Sequence, residues 1–217
     1  VRGRICGVII SGDEEAIRAA SGSVDLFELR LDLVGPAWTE VVCLLTKPWI
    51  AVNRPRSEGG LWIGTEEERL AELRRAVLAG AAMVDIELAT PELGRTVADF
   101  KKRAKCLVSY HNYAGTPPLA RLKEIVAAEI GAKADICKVA TTANALDDNA
   151  VIMELIKQFP ETEMVALAMG EMGQVSRVLG PLAGGAFAYG ALSHGAESAP
   201  GQPTVAQLAR FYGALGA

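Results

Sequence analysis

A single (β/α)8 barrel, the TIM barrel, is the fold predicted for this chain of 217 residues, and three observations predict it. Short runs rich in Val, Ile, Leu and Ala recur eight times. Segments with helical periodicity and their own start signals separate most of them. The runs are apolar nearly throughout, as strands buried on both faces of a parallel sheet must be; half-exposed strands would alternate. Eight strand-helix repeats, spaced by roughly 20 to 34 residues, match that barrel near the short end of its length range. The rival is an open doubly wound sheet, which normally carries a glycine-rich turn after its first strand when it binds a nucleotide. Here Ile9-Ile10-Ser11-Gly12-Asp13 has neither G-x-G-x-x-G nor a Walker lysine. Half of the residues are hydrophobic and nothing resembles a linker, so residues 1–217 are read as one domain.

The predicted strands are residues 4–10, 27–32, 49–53, 83–88, 105–111, 136–140, 165–169 and 186–192. Thr65-Glu66-Glu67-Glu68 is a capping box, in which the Thr65 hydroxyl accepts from the Glu68 amide while the Glu68 carboxylate reaches back. The helix it starts carries Leu70, Leu73, Val77 and Leu78 on one face and stops at Gly80. Thr90-Pro91 and Thr116-Pro117 each place a cap before a proline, and Gly131 closes the second of those helices. In a barrel the C-terminal ends of all strands converge on one mouth, so residues far apart in sequence can share a site.

Composition removes several classes of function. With 22 Lys and Arg against 26 Asp and Glu, the formal charge is -4, and the basic residues are scattered; nucleic acid is not an expected partner. No apolar stretch is long enough for a membrane span, and Val1-Arg2-Gly3-Arg4 lacks a signal-peptide layout, so a cytoplasmic location is expected. Cys6, Cys43, Cys106 and Cys137 form no Cys-x-x-Cys pair and read as small apolar residues in a reducing compartment. The two histidines, His111 and His194, are not clustered with other ligands, and no metal site is expected.

Against that background Lys138 stands out, an amine inside the apolar run Ile136-Cys137-Lys138-Val139-Ala140. An ammonium taken out of water costs several kcal/mol unless it pairs or gives up its proton, and an amine made neutral is a nucleophile. Burial, helped by nearby arginine charge, is the expected source of the free amine. His111 ends another strand-like run, and imidazole is poised to move protons near neutral pH. Glu28, Arg30 and Asp32 are spaced by two and so share one face of their strand, as either a polar mouth or an ion-pair ladder. Asp85 and Glu87 repeat the spacing, with orientation left open by the sequence. Loops rich in polar residues follow the third, seventh and eighth strands, and His194 in its Ser-His-Gly-Ala-Glu loop reads as exposed.

Glu28-Leu29-Arg30-Leu31-Asp32, Arg54 with Glu58-Gly59-Gly60, Ser109-Tyr110-His111-Asn112, Lys138-Val139-Ala140, Met169 with Gly173 and Ser176-Arg177, and Ser198-Ala199-Pro200-Gly201-Gln202 stand in order along almost the whole chain. Together they closely resemble type I 3-dehydroquinate dehydratase. The resemblance implies a (β/α)8 barrel of the shikimate pathway that dehydrates 3-dehydroquinate to 3-dehydroshikimate through an imine, with neither metal nor cofactor, and usually as a homodimer. It implies Lys138 as the imine-forming amine, His111 as general acid and base, and Glu58 as the residue that orients and tunes the histidine. Arg177 is implied to hold the substrate carboxylate, with Glu28, Arg30, Arg54, Ser198 and Gln202 completing the hydroxyl and carboxylate contacts. The stretch between Tyr189 and Ser198 reads as longer than is usual in that family, and the N-terminal hairpin is missing before the first strand.

Two other readings remain open on the residues themselves. A class I aldolase would use the same lysine but needs a phosphate site, toward which Gly184-Gly185 is the one pointer. A barrel that only binds a metabolite would have no use for a buried amine beside His111 and Glu58.

Overall fold

The computed structural model of the protein describes residues 3–216; Val1, Arg2 and Ala217 lie outside it, and with them the first part of the Val1-Arg2-Gly3-Arg4 start. Eight parallel strands make one sheet: β1 (Ile5–Ile9), β2 (Leu26–Arg30), β3 (Trp49–Val52), β4 (Met83–Glu87), β5 (Lys105–His111), β6 (Ile136–Thr142), β7 (Met164–Met169) and β8 (Ala188–Ala191). Each falls within two residues of its predicted span. Neighbours in sequence are neighbours in the sheet, and β8 returns to pair with β1, so the sheet curls into a (β/α)8 barrel. The seam lies between β7 and β8, where the Ala186 amide donates to the Met164 carbonyl at 2.7 Å.

The helices are α1 (Glu14–Ala20), α2 (Leu31–Val34), α3 (Trp38–Val42), α4 (Glu66–Leu78), α5 (Leu93–Phe100), α6 (Leu119–Gly131), α7 (Asp148–Gln158), α8 (Gln174–Leu179) and α9 (Val205–Ala214). Because every strand is covered on both faces, two apolar layers form. Inside the barrel lie Cys6, Val8, Ile50, Val52, Leu107, Ile136, Leu167 and Tyr189, among others. Outside, the opposite strand faces meet the helices in two clusters, one around Phe27, Leu29 and Val84 and one around Val126, Val139 and Ile152. Burying each such large side chain is worth about 2 kcal/mol. No helix among the described residues is long and apolar enough to cross a membrane.

The expected capping box is formed at Thr65, with both reciprocal hydrogen bonds present. The face of α4 differs from the expectation: Arg69, Leu70, Leu73 and Ala76 are buried, whereas Leu78 is 70% exposed. At about 100° per residue Leu78 lies some 140° around from Leu73, off the buried stripe. Thr90 does not cap a helix either. The chain turns there, α5 begins at Leu93, and the Thr90 hydroxyl accepts from Arg69 instead. Thr116 likewise bonds Thr141 and the Thr142 carbonyl, which ties the segment after β5 to β6, and α6 starts beyond Pro118. In each case a tertiary partner outbid the local cap. Strand β2 stops at Arg30, so Asp32 sits in α2 and reaches back to Arg30 rather than continuing the strand face.

Candidate functional site

Inside the barrel the lower part is apolar, and toward the C-terminal mouth the inward positions turn polar. β2 contributes Glu28 and Arg30, β4 Asp85 and Glu87, β5 Ser109 and His111, and β6 Lys138. The sheet register sets Ser109 opposite Lys138 and Glu87 opposite Ser109. One cavity at the mouth is lined by Glu28, Arg30, Arg54, His111, Lys138, Arg177, Ser198 and Gln202, so eight of the nine residues picked out by the resemblance surround a single space. The ninth, Glu58, stands directly behind His111.

Lys138 is 5% exposed, with Nζ 2.9 Å from Asp85 Oδ2 and 3.5 Å from Glu28 Oε2. It also lies 4.5 Å from the centre of the Tyr189 ring. The amine is therefore one leg of an ion-paired network. Two carboxylates, which the expectation of burial helped by arginine charge leaves out, stand within 3.5 Å of it.

Beneath Lys138 the Arg54 guanidinium is spent on the protein. It donates to Asp85 at 2.6 Å, to Glu87 at 2.7 Å and to Ser109 at 2.8 Å, and Glu87 is shared with the buried Arg69. Burial opposes the charge on Asp85, yet Arg54 and Lys138 beside it hold its carboxyl well below the usual carboxylate range. Burial opposes the charge on Arg54 too, and Asp85 and Glu87 outweigh it. Arg30 is engaged with Asp32 through two hydrogen bonds, at 2.9 and 2.7 Å, and Asp32 also accepts from the Leu61 amide.

His111 Nδ1 is 2.9 Å from Glu58 Oε2. Burial, together with the positive charges of Arg54 and Lys138, pushes the imidazole well below its ordinary pKa, so it is neutral near pH 7. Burial pushes the Glu58 carboxyl up to about 7. Once Glu58 is ionised it accepts from Nδ1–H, which leaves Nε2 with the free lone pair and makes that atom the base.

Arg177 is the contrasting arginine. It is 4% exposed, its Nη2 donates to the Pro200 carbonyl at 3.1 Å, its Nε has no hydrogen-bond partner, and no carboxylate pairs with it among the described residues. Burial lowers its pKa to about 10, which still leaves it charged at neutral pH. A buried guanidinium without a counterion is a receptor for an anion, and its planar donors suit a carboxylate. The loop above it is held together by Gln202, whose Oε1 accepts from the Ser198 amide at 2.7 Å and the Ser198 hydroxyl at 3.0 Å.

Asp85 and Glu87, candidates for a shared pocket with their orientation open, face inward. Other contributors escaped the sequence. Ser109 was visible only as part of a motif. Tyr113, two residues past His111, also lines the cavity, and that spacing is its one signal in the sequence. His194 is exposed and lies outside this cavity, as expected. Among the described residues no cluster of His, Cys, Asp and Glu is arranged to hold a metal ion.

The chain is similar to known proteins along nearly its whole length. The family model described as type I 3-dehydroquinase matches residues 9–217. A Dehalococcoides mccartyi protein named 3-dehydroquinate dehydratase is 44% identical over 209 residues, covering 96% of this chain and 94% of the relative. One of the same name from Coxiella burnetii is 32% identical, with 96% and 92% covered. The crystal structure of the 3-dehydroquinate dehydratase from Aquifex aeolicus superposes with a TM-score of 0.82 at 26% identity, covering 97% of this chain and 98% of that one.

Proposed function

The chain belongs to the type I 3-dehydroquinase family, and from that premise we propose that it dehydrates 3-dehydroquinate, as a hydro-lyase of the shikimate pathway, through a Schiff base on Lys138. One observation supports this above the others: a buried amine and a buried guanidinium without a carboxylate partner face the same cavity, with a neutral imidazole beside them.

The substrate carboxylate seats on Arg177, which fixes the ring relative to Lys138. Lys138 must lose a proton before it attacks. The neutral imidazole of His111, which lines the same cavity, takes it. The amine adds to the ketone carbon, one proton of its nitrogen moves to the oxygen, and His111 hands its own proton to the resulting hydroxyl, which leaves as water to give a protonated imine and a neutral imidazole. The iminium draws electrons from the neighbouring carbon, whose proton passes to His111 Nε2 as an enamine forms. The enamine pushes out the hydroxyl one carbon further on, and His111 returns a proton to it, so a second water leaves. Hydrolysis of the conjugated imine consumes one water, releases 3-dehydroshikimate and restores the amine. The net change is the loss of one water.

Glu28, Arg30, Arg54, Ser198 and Gln202 line the space around this chemistry. In this reading Arg54 acts from below, holding Asp85 and Glu87 in place, while Ser198 and Gln202 close the mouth over the substrate hydroxyls. The same reading carries a cytoplasmic homodimer.

The aldolase alternative is disfavoured by position. Gly184 and Gly185 precede β8 and so lie at the end of the barrel opposite the mouth that holds His111 and Lys138. Incubation with 3-dehydroquinate and borohydride tests the proposal. A stable mass increase on the peptide containing Lys138, absent from Lys138→Ala, is expected; dehydration without any trapped adduct would overturn the Schiff base.

A further inference from the structure

The Glu58–His111 pair is not sealed by the barrel alone. Tyr113, in the segment after β5, lies over it, with its ring stacked on the His111 imidazole at 6.4 Å between centroids and 17° between planes. Its hydroxyl donates to the backbone carbonyl of Glu58 at 3.0 Å. The contact is close on the far side too: Gly59, at φ +75°, has no room for a Cβ, which would collide with the Tyr113 hydroxyl. Burial raises the phenol pKa, so the hydroxyl remains a donor throughout the neutral range. Tyr113 is nevertheless 51% exposed; one face of it meets water while the other covers the pair.

We propose that Tyr113 is a positioning residue that roofs the Glu58–His111 pair, its ring keeping water from the carboxyl and its hydroxyl fixing the turn from which Glu58 reaches Nδ1. This rests on the assignment of His111 as the base. The other charged groups around the pair are Arg30 from β2, Arg54 after β3, Asp85 and Glu87 from β4, Arg69 from α4 and Lys138 from β6. A substitution at Tyr113 removes none of these charges. The sign of the effect follows. Burial is the largest influence raising Glu58, so opening the roof lets water stabilise the carboxylate and lowers its pKa.

Two variants separate the ring from the hydroxyl. In the parent, kcat/KM should rise with pH through an acid limb near 7, as Glu58 ionises. Tyr113→Ala should move that limb down by about one pH unit or more. Tyr113→Phe keeps the cover but cuts the tether, so its limb should stay in place while kcat falls several-fold and KM changes less than about twofold. A merely structural role would shift melting temperature and leave the limb alone. An alanine variant whose limb coincides with the parent's overturns the proposal, as does a phenylalanine variant with the parent's kcat. Borohydride trapping on all three proteins keeps the issues apart: failure to trap the parent at Lys138 counts against the Schiff base, whereas normal trapping with an unmoved limb counts against the roof.

Discussion

Two of the three buried arginines that line the mouth show how one residue type takes opposite roles from its surroundings. Arg54 has its charge answered by Asp85 and Glu87, while Arg177 has a carbonyl oxygen and, among the described residues, no carboxylate. An anion entering the cavity gains most from the unanswered charge, because a desolvated cation already lacks its hydration. Arg177→Lys is accordingly expected to raise KM at least tenfold with a smaller change in kcat, since a point charge cannot make two parallel hydrogen bonds. Steady-state kinetics at saturating substrate checks it, and an unchanged KM would remove Arg177 from substrate binding. The sequence exposed Arg177 as part of a motif, but both arginines looked alike until their partners were visible.

At the level of elements, the loops after β7 and β8 are built as a unit. The Gly170 amide donates to the Pro200 carbonyl at 3.0 Å, the same oxygen that receives Arg177, and Gly201 at φ +74° presses against the Gly170 carbonyl so closely that a Cβ would overlap it. A side chain there is strained by its backbone conformation and by the contact, at a cost of order 1–3 kcal/mol for the conformation alone. Gly201→Ala should therefore part the two loops and loosen Pro200, Ser198 and Gln202 together. The expected outcome is a KM raised about tenfold with Lys138 still trapped by borohydride at high substrate; kinetics equal to the parent's would show the loop contact to be idle. The Ser-Ala-Pro-Gly-Gln run was legible as a loop of the catalytic face. Its glycine's purpose was not, because the atom it must avoid is 31 residues away in sequence.

At the scale of the whole molecule, one buried acid among the described residues lies outside the site. Glu129 on α6 is fully buried against the back of β6, facing the Cys137 thiol, and burial pushes its carboxyl well above 4.5. An acid whose folded pKa is raised stabilises the fold below the unfolded value and loses that contribution as pH rises toward the folded one. Stability should therefore decline as pH rises above 4.5, and Glu129→Gln, neutral at every pH, should flatten the dependence of melting temperature on pH across that range; parallel curves for the two proteins would exclude Glu129 as the cause. By itself the sequence determined the eight strands, their order and the motifs at their ends, because apolar periodicity and turn chemistry are local properties read within a dozen residues. Only the closed barrel decided which charge answers which. Lys138 meets Glu28 across 110 positions, Arg54 meets Ser109 across 55, and Thr90 and Thr116 gave up their caps to distant partners. Those pairings depend on the curvature that brings β2, β4, β5 and β6 around one axis, and no pattern along the chain encodes the distance between two strands that are not neighbours.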